Sequence, residues 1–292
     1  YFQGEPRYEY FQRTAFRAEQ WLRLKQHAEE RGLLFLSSPF SEEAVDLLES
    51  IGISQYKIPS GEVTNLPMLA TIARTGKPVL LSSGMNSWEE LDRAVDVIRT
   101  CHNRLTVLQC TSEYPCPYER VGLNVMVEMR SRYGVPVGLS DHTLDNYSSF
   151  AAVTLGASVI EKHLTFSRRM YGSDARHSLE PADFVDLTRG IQAIATMLAH
   201  PTDKDDLDRF RQMKQIFQKS VATLVDITPG TVITRDMLGL KKPGSGIPAA
   251  HIDEVVGRRA ARAVAADNVL AWSDLEVSPP ETKLPRGSVM HA

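Results

Sequence analysis

The sequence predicts an α/β protein: a parallel sheet closed as a (β/α)8 barrel, followed by a small β-rich domain. Helical and short apolar segments alternate over residues 19–198 with a repeat of about 30 residues, which is typical of parallel sheets. Polar residues follow every apolar segment, whereas a doubly wound sheet concentrates them at one switch point. Beyond residue 200, short β-type runs and turn residues predict the second domain.

Six apolar segments are expected to be buried parallel strands, because each has four or five residues and is apolar on both faces. They are residues 33–37, 55–58, 78–81, 105–109, 135–139 and 158–162. The helices between them carry start signals, such as the capping box of Ser87 and Glu90. Since a barrel of this type has eight strands, we expect its first two βα units to be missing from this sequence.

These segments divide the chain into four parts. We expect a barrel domain at residues 5–200 and a linker at 201–218. A β-rich domain is expected at 219–278, where runs such as 221–225, 255–256 and 271–275 alternate with turn signals. The tail at 279–292 is expected to be disordered.

Composition excludes several classes of protein. The 292 residues include 33 Lys and Arg against 36 Asp and Glu, a net charge of -3, so we expect no nucleic-acid partner. No apolar run approaches about 18 residues, so we expect no membrane-spanning helix. Only 3 cysteines are present and no secretion signal is recognised, which favours a cytoplasmic protein without disulfides.

Two histidines follow neighbouring predicted strands and form a candidate metal site. His142 and His163 stand at the ends of strands that lie about 4.8 Å apart in a parallel sheet. Two imidazoles, with water and substrate oxygens, suit Mn²⁺, Zn²⁺ or Fe²⁺. Asp141 or Glu161 would orient an imidazole from behind. The alternative is that both histidines are structural.

A second constellation, Lys57-Ile58-Pro59-Ser60-Gly61-Glu62, is a candidate anion site. Strand alternation directs Lys57 into the barrel, where an ammonium group is costly unless it meets an anion. Ser60, together with Ser38 and Ser140, adds hydroxyl donors, and Glu62 is an acid/base candidate beside the anion. The alternative is a structural ion pair between Lys57 and Glu62.

Two polar loops are candidates for binding a polyol. Ser112 and Tyr114 lie in the loop after the fourth predicted strand, and Asp174 and Arg176 lie in the loop after the last one. Solvated surface residues are the alternative for Asp174 and Arg176. No Gly-rich dinucleotide motif, Walker loop or nucleophile elbow is present, so nucleotide and serine-hydrolase functions lack support.

Together these motifs resemble the bacterial sialic acid synthase family, which includes the N-acetylneuraminate, legionaminate, pseudaminate and spore-coat polysaccharide synthases. From residue 219 the chain resembles the antifreeze-like (SAF, β-clip) domain, with residues 242–247 (KPGSGI) at its signature turn. The segments that carry the synthase resemblance are FLSSPF at 35–40, KIPSGE at 57–62, GKPVLLSSGM at 76–85, VGLSDHT at 137–143, GASVIEKH at 156–163 and SLEP at 178–181.

The resemblance implies a transferase that condenses phosphoenolpyruvate with an N-acetylated mannosamine-type sugar and water. The sugar is N-acetylmannosamine or 2,4-diacetamido-6-deoxymannose, and the products are a nine-carbon 2-keto sugar acid and phosphate. Mn²⁺ is implied on His142 and His163, with Mg²⁺ or Co²⁺ as alternatives, and Glu62 and Lys57 are implied to be catalytic. The implied substrate-binding residues are Ser38, Lys57, Ser60, Ser112, Tyr114, Ser140, Asp174, Phe217, Lys219 and Lys242.

The resemblance also implies a domain-swapped homodimer, in which Phe217 of the partner subunit and Lys242 of the partner subunit reach the barrel. Ser112 stands where many members have Asn, and Lys242 stands where Arg is usual, so the sugar itself stays open. The family's first two strands carry a Glu, a Lys and a Gln that help to bind substrates, and we expect no activity from a polypeptide without them. Two alternatives remain: a pyruvate-dependent metal aldolase and a non-catalytic carbohydrate-binding protein.

Overall fold

The computed structural model describes residues 5–277, so the predicted tail at 279–292 lies outside the described residues. The chain forms two compact units, one that ends at Pro201 and one that starts at Thr202. Each unit has its own apolar core. None of the helices within residues 5–277 combines the length and apolarity needed to cross a membrane.

The first unit contains one parallel sheet and eight α-helices in its described part. Its five strands run in the order β1-β2-β3-β4-β5, without the reversal that defines a doubly wound sheet. The strands are β1 (Tyr56–Ile58), β2 (Val79–Ser82), β3 (Leu105–Cys110), β4 (Val137–Asp141) and β5 (Val159–Lys162). The helices are α1 (Arg7–Thr14), α2 (Ala18–Glu30), α3 (Glu42–Ser50), α4 (Leu66–Arg74), α5 (Trp88–Arg99), α6 (Leu123–Tyr133), α7 (Tyr147–Thr154) and α8 (Pro181–Ala199).

Local signals explain where these helices begin and end. The predicted capping box at α5 is confirmed, since Ser87 Oγ accepts from the Glu90 amide and Glu90 Oε2 accepts from the Ser87 amide. Helix α6 ends at Gly134, whose φ of 60° lies in the left-handed region that glycine adopts at low cost. These caps therefore define where α5 begins and where α6 ends.

The two faces of the sheet have different chemistry. Residues such as Ile58, Leu81 and Val107 are buried and pack with the helices in the apolar core. The parallel register places Cys110, Ser140 and Glu161 side by side on the opposite face. Polar side chains such as Ser140 and Glu161 therefore lie on the face that is turned away from the helices.

The sheet is strongly curled. Lys57 on β1 and Glu161 on β5 form an ion pair of 3.2 Å, although three strands separate them in the sheet. In a flat sheet, four strand spacings of about 4.8 Å would hold these two strands about 19 Å apart. The contact therefore requires the edges to bend toward one another, as they do in part of a barrel.

Five of the six predicted strands are present, with ends that differ by at most two residues. The prediction for 33–37 is wrong, because Ser37 makes only an isolated bridge to Tyr56. Leu33 and Leu34 are 63% and 75% exposed, so apolar character at these positions does not reflect burial among the described residues.

The second unit contains a two-stranded antiparallel sheet and short helices in its described part. Strand β6 (Ser220–Thr223) pairs with β7 (Leu238–Lys241), helix α9 (Arg211–Phe217) precedes them and α10 (Ile252–Val255) follows. Two predicted β-type runs are wrong, since Val255 ends a helix and a 3-10 turn spans Trp272–Asp274. Both segments still contribute to the core through Val255 and Leu275.

Candidate active site

A cavity of about 320 Å³ lies on the polar face of the sheet, near the carboxyl ends of the strands. It brings together seven of the residues that the sequence singled out: Lys57, Ser60, Ser112, Tyr114, Ser140, His142 and His163. The remaining lining residues are Pro59, Gly61, Ser82, Met85, Cys110 and Glu161.

An ammonium group and a carboxylate face one another in this cavity. Lys57 Nζ lies 3.2 Å from Glu161 Oε1, and the Lys57 side chain is only 12% exposed. Ser140 Oγ donates a hydrogen bond of 2.7 Å to the same carboxylate oxygen. An ammonium group has three hydrogens to donate. Since one carboxylate oxygen engages one of them, the others can be donated to an anionic ligand.

Three predicted site residues of the first unit, Ser38, Glu62 and Asp174, do not line this cavity. Glu62 follows the β1 end in a 3-10 turn, and its Oε2 accepts a hydrogen bond of 2.9 Å from Asn65 Nδ2. Ser38 is half-buried before α3. The structural pair between Lys57 and Glu62, which the sequence left open, is therefore replaced by the pair between Lys57 and Glu161.

Three hydroxyl groups surround the loop after β2. A Cβ atom added at Gly84 would lie 2.4 Å from Ser112 Oγ and 2.8 Å from Ser60 Oγ, so glycine allows both serines to approach the backbone closely. Ser82 is buried, and its Oγ has no hydrogen-bond partner among the described residues. A buried hydroxyl without a partner costs free energy, which a bound ligand would recover.

One ring nitrogen of His142 carries no hydrogen and can act as a ligand. Its Nδ1 lies 2.8 Å from the carbonyl oxygen of Thr111, which can only accept, so Nδ1 carries the hydrogen. The lone pair therefore belongs to Nε2. Burial lowers the pKa of His142 below its ordinary value, which favours the neutral imidazole that metals bind.

His163 and Tyr114 complete a cluster of rings with His142. The imidazole rings of His142 and His163 have centroids 5.3 Å apart and stand nearly perpendicular, and the Tyr114 ring lies 4.1 Å from that of His142. His163 Nδ1 lies 3.7 Å from Asp174 Oδ2. Partial burial raises the pKa of Tyr114 to about 12, so its hydroxyl stays protonated at neutral pH.

This pair of histidines fits a divalent cation. A coordination sphere of two imidazole nitrogens, completed by water and substrate oxygens, suits borderline metals. Within residues 5–277 no group of three or more His, Cys, Asp or Glu side chains has the arrangement of a closed metal site. A cation bound here would therefore have the two histidines as its protein ligands among the described residues.

Three further predicted site residues belong to the second unit. Phe217 ends α9, Lys219 precedes β6 and Lys242 follows β7. Lys242 Nζ lies 5.2 Å from the centroid of the Phe217 ring, a cation–π contact between two exposed side chains.

Sequence reasoning did not include Ser82 in the site, and it gave Glu161 only the role of orienting an imidazole, whereas both residues line the cavity. Strand alternation was the signal that identified Lys57, and it applies equally to these two positions. Ser82 follows Leu80 by two residues, and Leu80 is the register partner of Lys57. Glu161 is the register partner of Ser140.

Comparison with known proteins places the chain in a family. The NeuB family model matches residues 2–203, and the SAF domain model matches residues 218–276. The chain is 37% identical to N,N'-diacetyllegionaminic acid synthase of Campylobacter jejuni, over 84% of this chain and 74% of that protein. It is 34% identical to human N-acetylneuraminate-9-phosphate synthase, over 87% of this chain and 71% of that protein.

A solved structure is similar as well. Spore coat polysaccharide biosynthesis protein E of Chromobacterium violaceum superposes with a TM-score of 0.69 at 27% identity, over 94% of this chain and 84% of that one. The chain therefore belongs to the NeuB family, carries a SAF domain and is an enzyme of the sialic acid synthase type.

Proposed function

We propose that this enzyme condenses phosphoenolpyruvate with the open-chain aldehyde of an N-acetylated mannosamine-type sugar. C3 of phosphoenolpyruvate forms a bond to the aldehyde carbon, water adds to C2, and phosphate leaves with cleavage of the C2–O bond. The products are a nine-carbon 2-keto sugar acid and phosphate. The observation that carries the proposal is the single cavity in which Lys57, four serine hydroxyls and two imidazoles meet.

The anionic substrate is assigned to the side of the cavity near Lys57. Phosphoenolpyruvate carries a phosphate and a carboxylate, and an ammonium group with hydroxyl donors suits both. Lys57 supplies the charge, and Ser60, Ser82 and Ser140 supply hydroxyls. Because Ser82 Oγ has no protein partner in the described chain, it is free to donate to the substrate.

The sugar aldehyde is assigned to the side of the two histidines. Nε2 of His142 and the ring of His163 would hold Mn²⁺, or Mg²⁺ or Co²⁺ in its place, and the cation supplies Lewis-acid polarisation of the aldehyde oxygen. The Tyr114 hydroxyl, which stays protonated, donates a hydrogen bond toward the sugar. Ser112 and Asp174 complete the polar contacts on this side.

A carboxylate is needed where water loses its proton. Glu161 Oε1 faces Lys57 and accepts from Ser140, so it lies within the cavity at hydrogen-bond distance from two of the proposed substrate-binding residues. We assign to Glu161 the orientation of the attacking water and acceptance of its proton. Glu62, which is bound to Asn65, would support the loop rather than the reacting atoms.

The curled sheet supports the corresponding architecture. Sequential parallel strands with a cavity at their carboxyl ends are the arrangement of a (β/α)8 barrel, whose loops hold the active site. We propose that β1–β5 form part of such a barrel.

We further propose that the enzyme acts as a homodimer in the cytoplasm.

The function is tested by following both products. The test uses the purified protein together with the first two βα units that the family resemblance implies. It is incubated with Mn²⁺, phosphoenolpyruvate labelled with ¹⁸O at the C2 oxygen, and either N-acetylmannosamine or 2,4-diacetamido-6-deoxymannose. We expect a nine-carbon acid by mass spectrometry and an equal amount of phosphate that retains the label, because the C2–O bond breaks. The sugar that gives the larger kcat/KM identifies the natural acceptor.

Two results would contradict this proposal. Formation of the acid from pyruvate without phosphate release would indicate a metal-dependent aldolase. Saturable binding of sugar, without turnover of phosphoenolpyruvate under any of these conditions, would indicate a carbohydrate-binding protein.

A methyl group at position 84 should weaken phosphoenolpyruvate binding. In Gly84→Ala the new Cβ would displace the hydroxyls of Ser60 and Ser112, which it meets at 2.8 and 2.4 Å. Overpacking of this kind costs about 1–3 kcal/mol. We expect the Kd for phosphoenolpyruvate, measured by isothermal titration calorimetry, to rise about five- to a hundredfold.

Gly61→Ala is the matched control for this change. Gly61 also lines the cavity, but an added Cβ there would meet no atom within 4 Å. We expect a much smaller change in Kd for this variant. Equal Kd values for the two variants would show that the close approach at Gly84 has no part in binding.

A further inference from the structure

A buried ion pair lies directly behind the two histidines. Lys162 Nζ is 3.0 Å from Asp141 Oδ2, and the two side chains are only 2% and 1% exposed. The residues are register partners on β5 and β4, and each immediately precedes one of the histidines. Their side chains point to the helix side of the sheet, away from the cavity.

The Lys162 ammonium group also donates hydrogen bonds to the turn after His142. Its Nζ donates to the carbonyl oxygens of Thr143 at 2.7 Å and Asp145 at 2.8 Å, and to Thr143 Oγ1 at 3.2 Å. One ammonium group thus holds two backbone carbonyls of the segment that leaves the cavity.

Asp141 fixes the same turn from the other side. Its Oδ1 accepts from the Thr143 amide at 2.9 Å, and its Oδ2 accepts from Ser148 Oγ and Ser149 Oγ at 2.5 and 2.7 Å. These serines lie at the start of α7. The carboxylate therefore joins β4, the turn and the helix into one hydrogen-bonded unit.

Stability alone is a weak reason for this arrangement. A buried ion pair often contributes little net free energy of folding, because removing both charges from water is costly. The bonds made here join the residue before His142 and the residue before His163 to each other and to the backbone of the turn after His142. They restrict the positions from which the two imidazoles extend.

We propose that Asp141 and Lys162 are positioning residues that hold His142 and His163 in the relative geometry needed to bind one cation. This inference rests on the proposed function in one respect, which is that the cation is the one the synthase reaction uses. The pair acts through the backbone and contacts neither substrate nor metal.

The test uses two variants in the full protein. Lys162→Met removes the ammonium group but leaves Asp141 as an unpaired buried carboxylate, so a loss of folding stability accompanies any loss of positioning. The double variant Asp141→Asn with Lys162→Met removes both charges and should recover much of the thermal stability. Neither variant can hold the carbonyls of Thr143 and Asp145.

We expect the affinity for Mn²⁺ alone, measured by electron paramagnetic resonance, to fall about ten- to a hundredfold in both variants. In the metal-free proteins, we expect faster hydrogen exchange of the amides at 142–146 and a change in the imidazole ¹⁵N signals of His142, whose Nδ1–H would lose its fixed bond to Thr111. Because these two measurements need neither metal nor substrate, they test positioning even if the proposed function fails.

The ion pair of Arg132 and Asp92, which joins α6 to α5, is the control. Arg132→Met should lower thermal stability without a change in Mn²⁺ affinity. Wild-type Mn²⁺ affinity and unchanged ¹⁵N signals in the double variant would overturn the inference, and the buried pair would then serve stability only.

Discussion

His142→Ala is expected to remove measurable Mn²⁺ binding and to lower kcat for the condensation by on the order of a thousandfold. Only one imidazole would remain at the cation site, since the described residues offer no third protein ligand nearby. Lewis-acid polarisation is worth several kcal/mol of transition-state stabilisation, and each 1.36 kcal/mol is tenfold in rate. Mn²⁺ titration and initial rates of phosphate release measure the two effects.

The control for this variant is His27→Ala on the exposed surface of α2, where the side chain is 65% exposed. It should have wild-type Mn²⁺ affinity and rate. The sequence also allowed two purely structural histidines. If His142→Ala lowered thermal stability but kept Mn²⁺ affinity and turnover, that structural alternative would be correct.

The general architecture could be predicted because it depends on local patterns. Short apolar segments and capping signals predicted five of the strands and the helices between them. The strand predicted at 135–139 is shifted to Val137–Asp141, since Asp141 continues the ladder by pairing with Lys162. That pairing depends on a neighbouring strand, which hydrophobic periodicity does not reveal.

The chemistry of the site could be predicted in part. Residues at strand ends converge in every parallel sheet, so the meeting of His142, His163 and Ser140 followed from their positions alone. The ion-pair partner of Lys57 could not be predicted from sequence positions in this way. Glu62 is near in sequence but turns toward Asn65, whereas Glu161 reaches Lys57 only because the sheet curls. Curvature is a property of the whole sheet, and no local pattern encodes it.

The ion pair of Lys57 and Glu161, which the curvature of the sheet brings together, is the basis of the second prediction with a large effect. Lys57→Met removes the positive charge from the cavity and leaves the Glu161 carboxylate facing the anionic substrate. A hydrogen bond to a charged group contributes about 1.5–3 kcal/mol, and repulsion from Glu161 adds to the loss. We expect the KM for phosphoenolpyruvate to rise by on the order of a hundredfold, measured by phosphate release.

Two further variants separate charge from packing. Lys77→Met breaks a similar pair, with Glu49, on the outside of the sheet, and it should leave the KM unchanged. Glu161→Gln in the Lys57→Met background removes the unpaired carboxylate, so the KM should recover in part while kcat stays low, because Glu161 is the proposed proton acceptor. A hundredfold rise in KM for Lys77→Met, or an unchanged KM for Lys57→Met, would place the anion elsewhere. Partial recovery, by contrast, would show that Lys57 and Glu161 act on the substrate as a pair, with the ammonium group offsetting a carboxylate that the reaction needs beside an anion.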